Sequence, residues 1–341
     1  MNKKRTLLIT LFITLSFIII NFFPLPYYVT SPGMAKELDD VIKVENGYTE
    51  TGDFMLTTVS IGKATIFSFL FAKLKDYYEV EPKEAIRYED ETDEEYHVRQ
   101  LYLMESSKEN ALQVAFEKAG KSVEVTYNGI YVLRTLEGTP AASILRPGDR
   151  IVAIDGHSFQ STEEFTTYVQ QKDVGDVCVI TFIREGEKLT KELTIQLIPT
   201  IQKPGIGITL VDDKTVITDP KVTIDTDQIG GPSAGLMFSL ELYNQLTEDD
   251  LTKGYLIAGT GTINEKGEVG PIGGIDQKVV AAHKAGAEIF FAPREGGKKG
   301  SNYEVAKETA KDIDTNMKIV PVDTFEEALT YLKHLKPKKD S

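Results

Sequence analysis

Hydrophobic positions are distributed very unevenly along this chain. An uncharged stretch runs from Thr6 to Ala35, with a predominantly apolar centre from Leu7 to Phe23. At about 1.5 Å of rise per residue, that centre is close to the minimum that crosses a bilayer. Lys3, Lys4 and Arg5 precede it, which predicts a cytoplasmic N-terminus and an extracytoplasmic remainder. The candidate cleavage site Val29-Thr30-Ser31 is followed by Pro32, so an uncleaved anchor over 6–28 is expected in preference to a signal peptide.

Beyond the anchor the pattern becomes that of a globular protein. Residues 38–70 read as strands, with a turn at Thr51-Gly52-Asp53, and residues 62–79 and 107–119 read as helices. The acidic run Glu89–Glu95, broken only by Thr92, reads as a solvated loop or helix face. From Val123 to Leu197 short strands surround one helix, opened by the capping-box pattern Ser161–Glu164. From Thr200 onward helices and strands alternate, which predicts an α/β or α+β domain.

Composition narrows the function. A net charge of −14 disfavours nucleic acid as a partner. Cys178 is the sole cysteine and the four histidines are scattered, so no metal site is expected, and no cofactor.

Two clusters carry chemistry. Gly230-Gly231-Pro232-Ser233-Ala234-Gly235 precedes the helical run LMFSLELYNQL. This predicts Ser233 at a helix start, among free N–H groups that could hold an oxyanion, with Gly231 and Pro232 shaping the turn. In Pro271–Lys278, a glycine pair opens a second helix. At about 100° per residue Lys278 shares its face with Ile275, Ala281, Ala282 and Ala285. A lysine in an apolar stripe has its pKa depressed by burial and can serve as a general base for a serine. Lys284 falls on the polar side, beside Gln277.

These motifs resemble the proteolytic domain of Lon proteases, where a GPSAG serine and a PIGG-x-x-x-K lysine form a dyad. The resemblance implies Ser233 as nucleophile and Lys278 as base, with Thr260 hydrogen-bonding the lysine. Gly230 stands where Lon proteins often have an acidic residue. Gly129–Val132 and Gly138–Gly156 resemble a PDZ domain of bacterial proteases. That implies a peptide added to the Tyr131–Thr135 strand edge, with Gly129, Ile130, Tyr131 and Val132 as peptide-binding residues. The combination resembles the membrane-anchored PDZ–Lon proteases of Gram-positive bacteria. No G-x-x-x-x-G-K-[ST] loop is present, so an ATP-independent endopeptidase is expected. The resemblance leaves a homo-oligomer open. The competing class is a non-enzymatic, membrane-bound peptide-binding adaptor.

The expected fold is therefore an α+β Lon-type domain, a β-rich PDZ-like domain and one N-terminal transmembrane helix. The expected divisions are a tail (1–5), the anchor (6–28), a membrane-proximal segment (35–105), the PDZ-like domain (106–199) and the Lon-type domain (200–337). The strands in 35–105 are expected to be the first strands of the Lon-type sheet, with the PDZ-like module inserted.

Overall fold

The computed structural model describes residues 3–5, 7–12, 24–88, 91–199 and 201–338. Residues 6 and 13–23 of the expected anchor lie outside the described residues. Among the described residues no helix is long and apolar enough to cross a membrane.

Alternating apolar residues build a six-stranded sheet from two distant stretches of chain. Strands β1 (Tyr27–Glu37), β3 (Asp53–Lys63) and β4 (Glu79–Pro82) come from the first stretch. Strands β13 (Leu256–Gly259), β16 (Ile289–Pro293) and β17 (Lys318–Val322) come from the second. Their order is β17-β16-β13-β3-β1-β4. The junction is parallel, Ile257 opposite Phe54 and Gly259 opposite Leu56. Phe54, Leu56 and Phe291 face one core, with helix α4 (Gly235–Leu246), buried throughout but for Gln245. Met55, Phe290 and Ala292 face a second core, with α5 (Ile275–Lys284) and α6 (Asn302–Asp312). This period-2 division is what a sheet covered on both faces requires. The helix α7 (Phe325–His334) adds Phe325, Leu329 and Leu332 to the first core.

A second, five-stranded sheet has the order β11-β5-β6-β7-β8, from β11 (Ile208–Asp219), β5 (Ser122–Thr135), β6 (Arg150–Ile154), β7 (Val177–Arg184) and β8 (Glu187–Thr194). With helix α3 (Thr162–Gln170) it encloses its own core around Ile130, Ile151, Phe165, Ile180 and Phe182. Small pairs complete the topology: β2 (Ile42–Val44) with β12 (Val222–Ile224), β9 (Gln196–Ile198) with β10 (Lys203–Gly205), and β14 (Thr262–Ile263) with β15 (Val269–Gly270).

Several sequence expectations change. The helix expected at 107–119 is α2, Asp93–Ala119, and runs across the expected 105/106 division. Thr92 and Glu95 form a capping box and Asp93, Glu94 and Glu95 fill the first turn, so the acidic run opens a helix. The helix expected over 62–79 is only α1, Ile66–Ala72, because β3 continues to Lys63 and Thr65 caps the turn. Tyr27 and Tyr28, placed in the anchor, belong to β1. Strand β11, assigned to the 200–337 segment, pairs with β5 from Ile208–Thr135 to Asp219–Ser122.

Candidate active site

Helices α4 and α5 converge on the middle of β3. Ser233 lies two residues before α4, whose N-cap is Ala234, so the helix starts later than the sequence suggests. The N–H groups of Ser233 and Ala234 therefore have no carbonyl within the helix to donate to. Lys278 lies one turn into α5 and is 4% exposed. Gly274 caps that helix in the left-handed conformation, with Val59 against its Cα, where a Cβ would come within 2.7 Å of Val59 Cγ2.

The two side chains, 45 residues apart in sequence, meet: Lys278 Nζ donates to Ser233 Oγ at 3.0 Å. Lys278 Nζ also donates to the Thr57 carbonyl at 2.6 Å. Burial alone lowers the lysine pKa from its ordinary 10.5 to about 7. The half-buried serine thus faces an amine whose neutral form is accessible near pH 7.

The surroundings differ in part from expectation. Thr260 makes no hydrogen bond to the lysine; its Oγ1 donates to the Ser233 carbonyl at 2.9 Å, and the Gly261 N–H donates to the same oxygen. Thr260 therefore fixes the backbone of the serine. Gly231 donates its N–H to the Gln100 carbonyl at 2.8 Å and so is not free for an oxyanion. The Pro232 carbonyl accepts from Ser107 Oγ at 3.1 Å. Gln100 and Ser107, both on α2, were missed by sequence reasoning; only the glycine at 230 hints at them. A Cβ on Gly230 would lie 2.6 Å from Gln100 Cβ, which explains why no acidic side chain stands there. Gln277, expected on the polar face, is buried and donates to Thr30 Oγ1 at 2.9 Å. Ala285, expected on the apolar face, is the exposed C-cap, and Lys284 is exposed as expected. His283 contacts Thr315, away from the serine.

The dyad opens into a cleft of about 940 Å³. Its floor includes Thr57–Ile61 of β3, and Tyr96, Gln100 and Met104 of α2 form a wall. Strand β13 accompanies β3 only as far as Leu56, so beyond that point β3 has an unpaired edge beside Ser233 among the described residues.

The expected peptide edge is corrected. Gly129, Ile130, Tyr131 and Val132 lie in an interior strand: β11 pairs them on one side, through Asp213, Asp212, Val211 and Leu210, and β6 lies on the other. The sheet's terminal strands are β11, next to β5, and β8 at the far edge. The α3 helix lies beside β11, with the Thr162 N–H donating to Asp212 Oδ1 at 2.7 Å. Gly205, Ile206 and Gly207 lead into it.

Comparison with known proteins agrees with both halves. Residues 213–334 match the family described as Lon protease (S16) C-terminal proteolytic domain. Residues 117–195 match the PDZ domain family. The chain is 34% identical over 131 residues to the Lon protease of Campylobacter jejuni, covering 35% of this chain and 16% of that protein. It is 32% identical over 171 residues to the Lon protease of Methanosarcina barkeri, covering 46% of this chain and 20% of that protein. The chain thus spans a fifth or less of the length of these relatives. Among solved structures, the PDZ domain of an SdrC-like protein from Listeria monocytogenes is 40% identical, covering 26% of this chain and 93% of that one, with a TM-score of 0.25. A Lon-type serine peptidase domain with Ser233 in hydrogen-bonding reach of a buried Lys278 is therefore joined in this chain to a PDZ domain.

Proposed function

We propose that this chain is a membrane-anchored, ATP-independent serine endopeptidase acting outside the cytoplasm. The 3.0 Å bond between Lys278 Nζ and Ser233 Oγ carries the reading. Neutral Lys278 takes the hydroxyl proton as Ser233 Oγ attacks the peptide carbonyl. The N–H groups at the start of α4 receive the developing oxyanion. The lysine then returns the proton to the leaving amine, and water, deprotonated by the same lysine, releases the acyl group. An extended substrate fits the unpaired edge of β3 at Thr57–Ile61, where strand addition aligns its carbonyl with Ser233.

The basic start and apolar run at Leu7–Phe23 support the anchor. Residues 3–5 and 7–12 are helical, with Leu7, Leu8 and Phe12 exposed. Peptide recognition by the PDZ-type unit belongs to β11 and α3, with the Gly205–Gly207 loop at the carboxylate end. The six-stranded sheet supports an inserted PDZ-type unit, since β3, before it in sequence, and β13, after it, are neighbours in that sheet.

A serine-reactive phosphonate tests the chemistry. Wild type is expected to be labelled and to cleave an unstructured peptide; Ser233→Ala and Lys278→Ala are expected to do neither while remaining folded. An unlabelled, inactive wild type would favour the adaptor, and a cleaving Ser233→Ala variant would remove the dyad.

A further inference from the structure

The helix α1 presents the wrong face to solvent for a water-soluble surface. Phe67, Leu70 and Leu74 in and after it are 60%, 59% and 85% exposed. Ile66 and Phe71 join them. The Phe67 and Phe71 rings stack at 6.1 Å, so the exposed side chains form one ridge. The opposite side is the docked one: Ala72 is buried and Phe69 meets Tyr27 edge-on at 5.5 Å. A contiguous apolar ridge outside the core marks an interaction surface.

Position identifies the occupant. The chain leaving the apolar run Leu7–Phe23 enters the fold against the start of this helix: Leu25 N–H donates to the Ala64 carbonyl, and Ala64 N–H to the Tyr27 carbonyl. Lys73 and Lys75 lie beside the Phe69 and Phe71 rings at 5.9 and 5.8 Å, followed by Asp76. Apolar rings with lysines alongside suit the headgroup–acyl boundary of a bilayer, where lysines reach back to water.

We propose that α1 and the turn after it rest in the outer interface of the bilayer, and that the catalytic cleft takes extended juxtamembrane segments of membrane-anchored polypeptides. This rests on the membrane-anchored reading above and adds an orientation to it. Strand β3 links the two places: Thr57, the acceptor of Lys278, lies mid-strand at the cleft, and Lys63, just before α1, ends the strand at the ridge. Six residues of strand span about 20 Å. Met34 and Ile61, both exposed, line the cleft in between. A substrate strand on β3 is therefore cut within about 20 Å of the lipid surface.

The chain contains no tryptophan, which makes a direct test available. Phe67→Trp, Leu74→Trp and, as a control in the PDZ-type sheet, Val177→Trp are introduced singly into the full chain. Each is reconstituted in phosphatidylcholine vesicles, with and without lipid brominated high on the acyl chain. The expected result is flotation of all three, with blue-shifted emission and loss of most fluorescence to bromine at positions 67 and 74 only. Flotation without quenching at 67 and 74 overturns the proposal and leaves the anchor standing. A blue shift without bromine quenching assigns the ridge to a second copy of the chain and also overturns it. Failure to float overturns both readings.

Discussion

At the scale of single residues, the dyad is governed by how Lys278 is held. It is buried and, among the described residues, has two oxygen acceptors, the Ser233 hydroxyl and the Thr57 carbonyl, and no carboxylate to hold its charge. Desolvation therefore wins and its pKa falls to about 7. Because the base works neutral, kcat/KM is expected to rise with pH through about 7. That limb should survive replacement of all four histidines, and a limb lost with His283 alone would assign the base to histidine. Lys278→Arg is expected to be inactive at every pH, since guanidinium stays protonated. The same depressed pKa links to folding. Between about 7 and 10.5 the unfolded chain holds a proton that the folded chain lacks, so this group's contribution to stability rises with pH across that window. Ser233 and Lys278 were legible in the sequence because each sits behind a glycine turn at the start of a helix. The partners of Thr260 were not, since a threonine hydroxyl gives no sign in sequence of which nearby acceptor it will choose.

At the scale of elements, α2 emerges as the support of the nucleophile. Ser107 bonds the carbonyl of Pro232, and the Gln100 carbonyl holds Gly231. On another side, Asn110 joins Lys214 of β11 to the Ile263 carbonyl of β14. Ser107→Ala removes one hydrogen bond from the residue preceding the nucleophile. A loss of about 1 kcal/mol is expected, read as a roughly five-fold fall in kcat with KM nearly unchanged. Ser107→Thr, which keeps the hydroxyl, is expected to restore most of it; equal activity of wild type and Ser107→Ala would remove this role. The sequence hid α2 because its buried positions include Ser107, Ala111 and Ala115, too small or polar to make an apolar stripe. Strand β11 was hidden differently: Asp212 and Asp213 interrupt its apolar positions, and only pairing with β5 shows which sheet receives it. The strands β3, β16 and β17 were plain from their β-branched and aromatic runs, and β16 is a short apolar run buried on both faces.

At the scale of the whole molecule, the two sheets meet through α2 and β11, and the ends of the PDZ-type unit lie together. Ser122 and Asp219 are cross-strand partners, so an antiparallel separation of about 5 Å is all that a deletion has to bridge. A chain in which a short glycine-serine link replaces 122–219 is expected to fold and to keep basal cleavage of an unstructured peptide. A chain beginning at Lys203 is expected to be insoluble or inactive, because it lacks β3 and the Thr57 carbonyl that holds Lys278. Cooperative folding and unaided cleavage by the Lys203 chain would show instead that the units are consecutive. The long pairing of β11 with β5 has one more consequence. A protease nick between Ile198 and Lys203 severs the covalent chain but not this twelve-residue ladder. The two fragments would then behave as halves of a split protein: separate bands on a denaturing gel, yet one particle in native solution, parting only when both this ladder and the β3–β13 junction of the first sheet are lost.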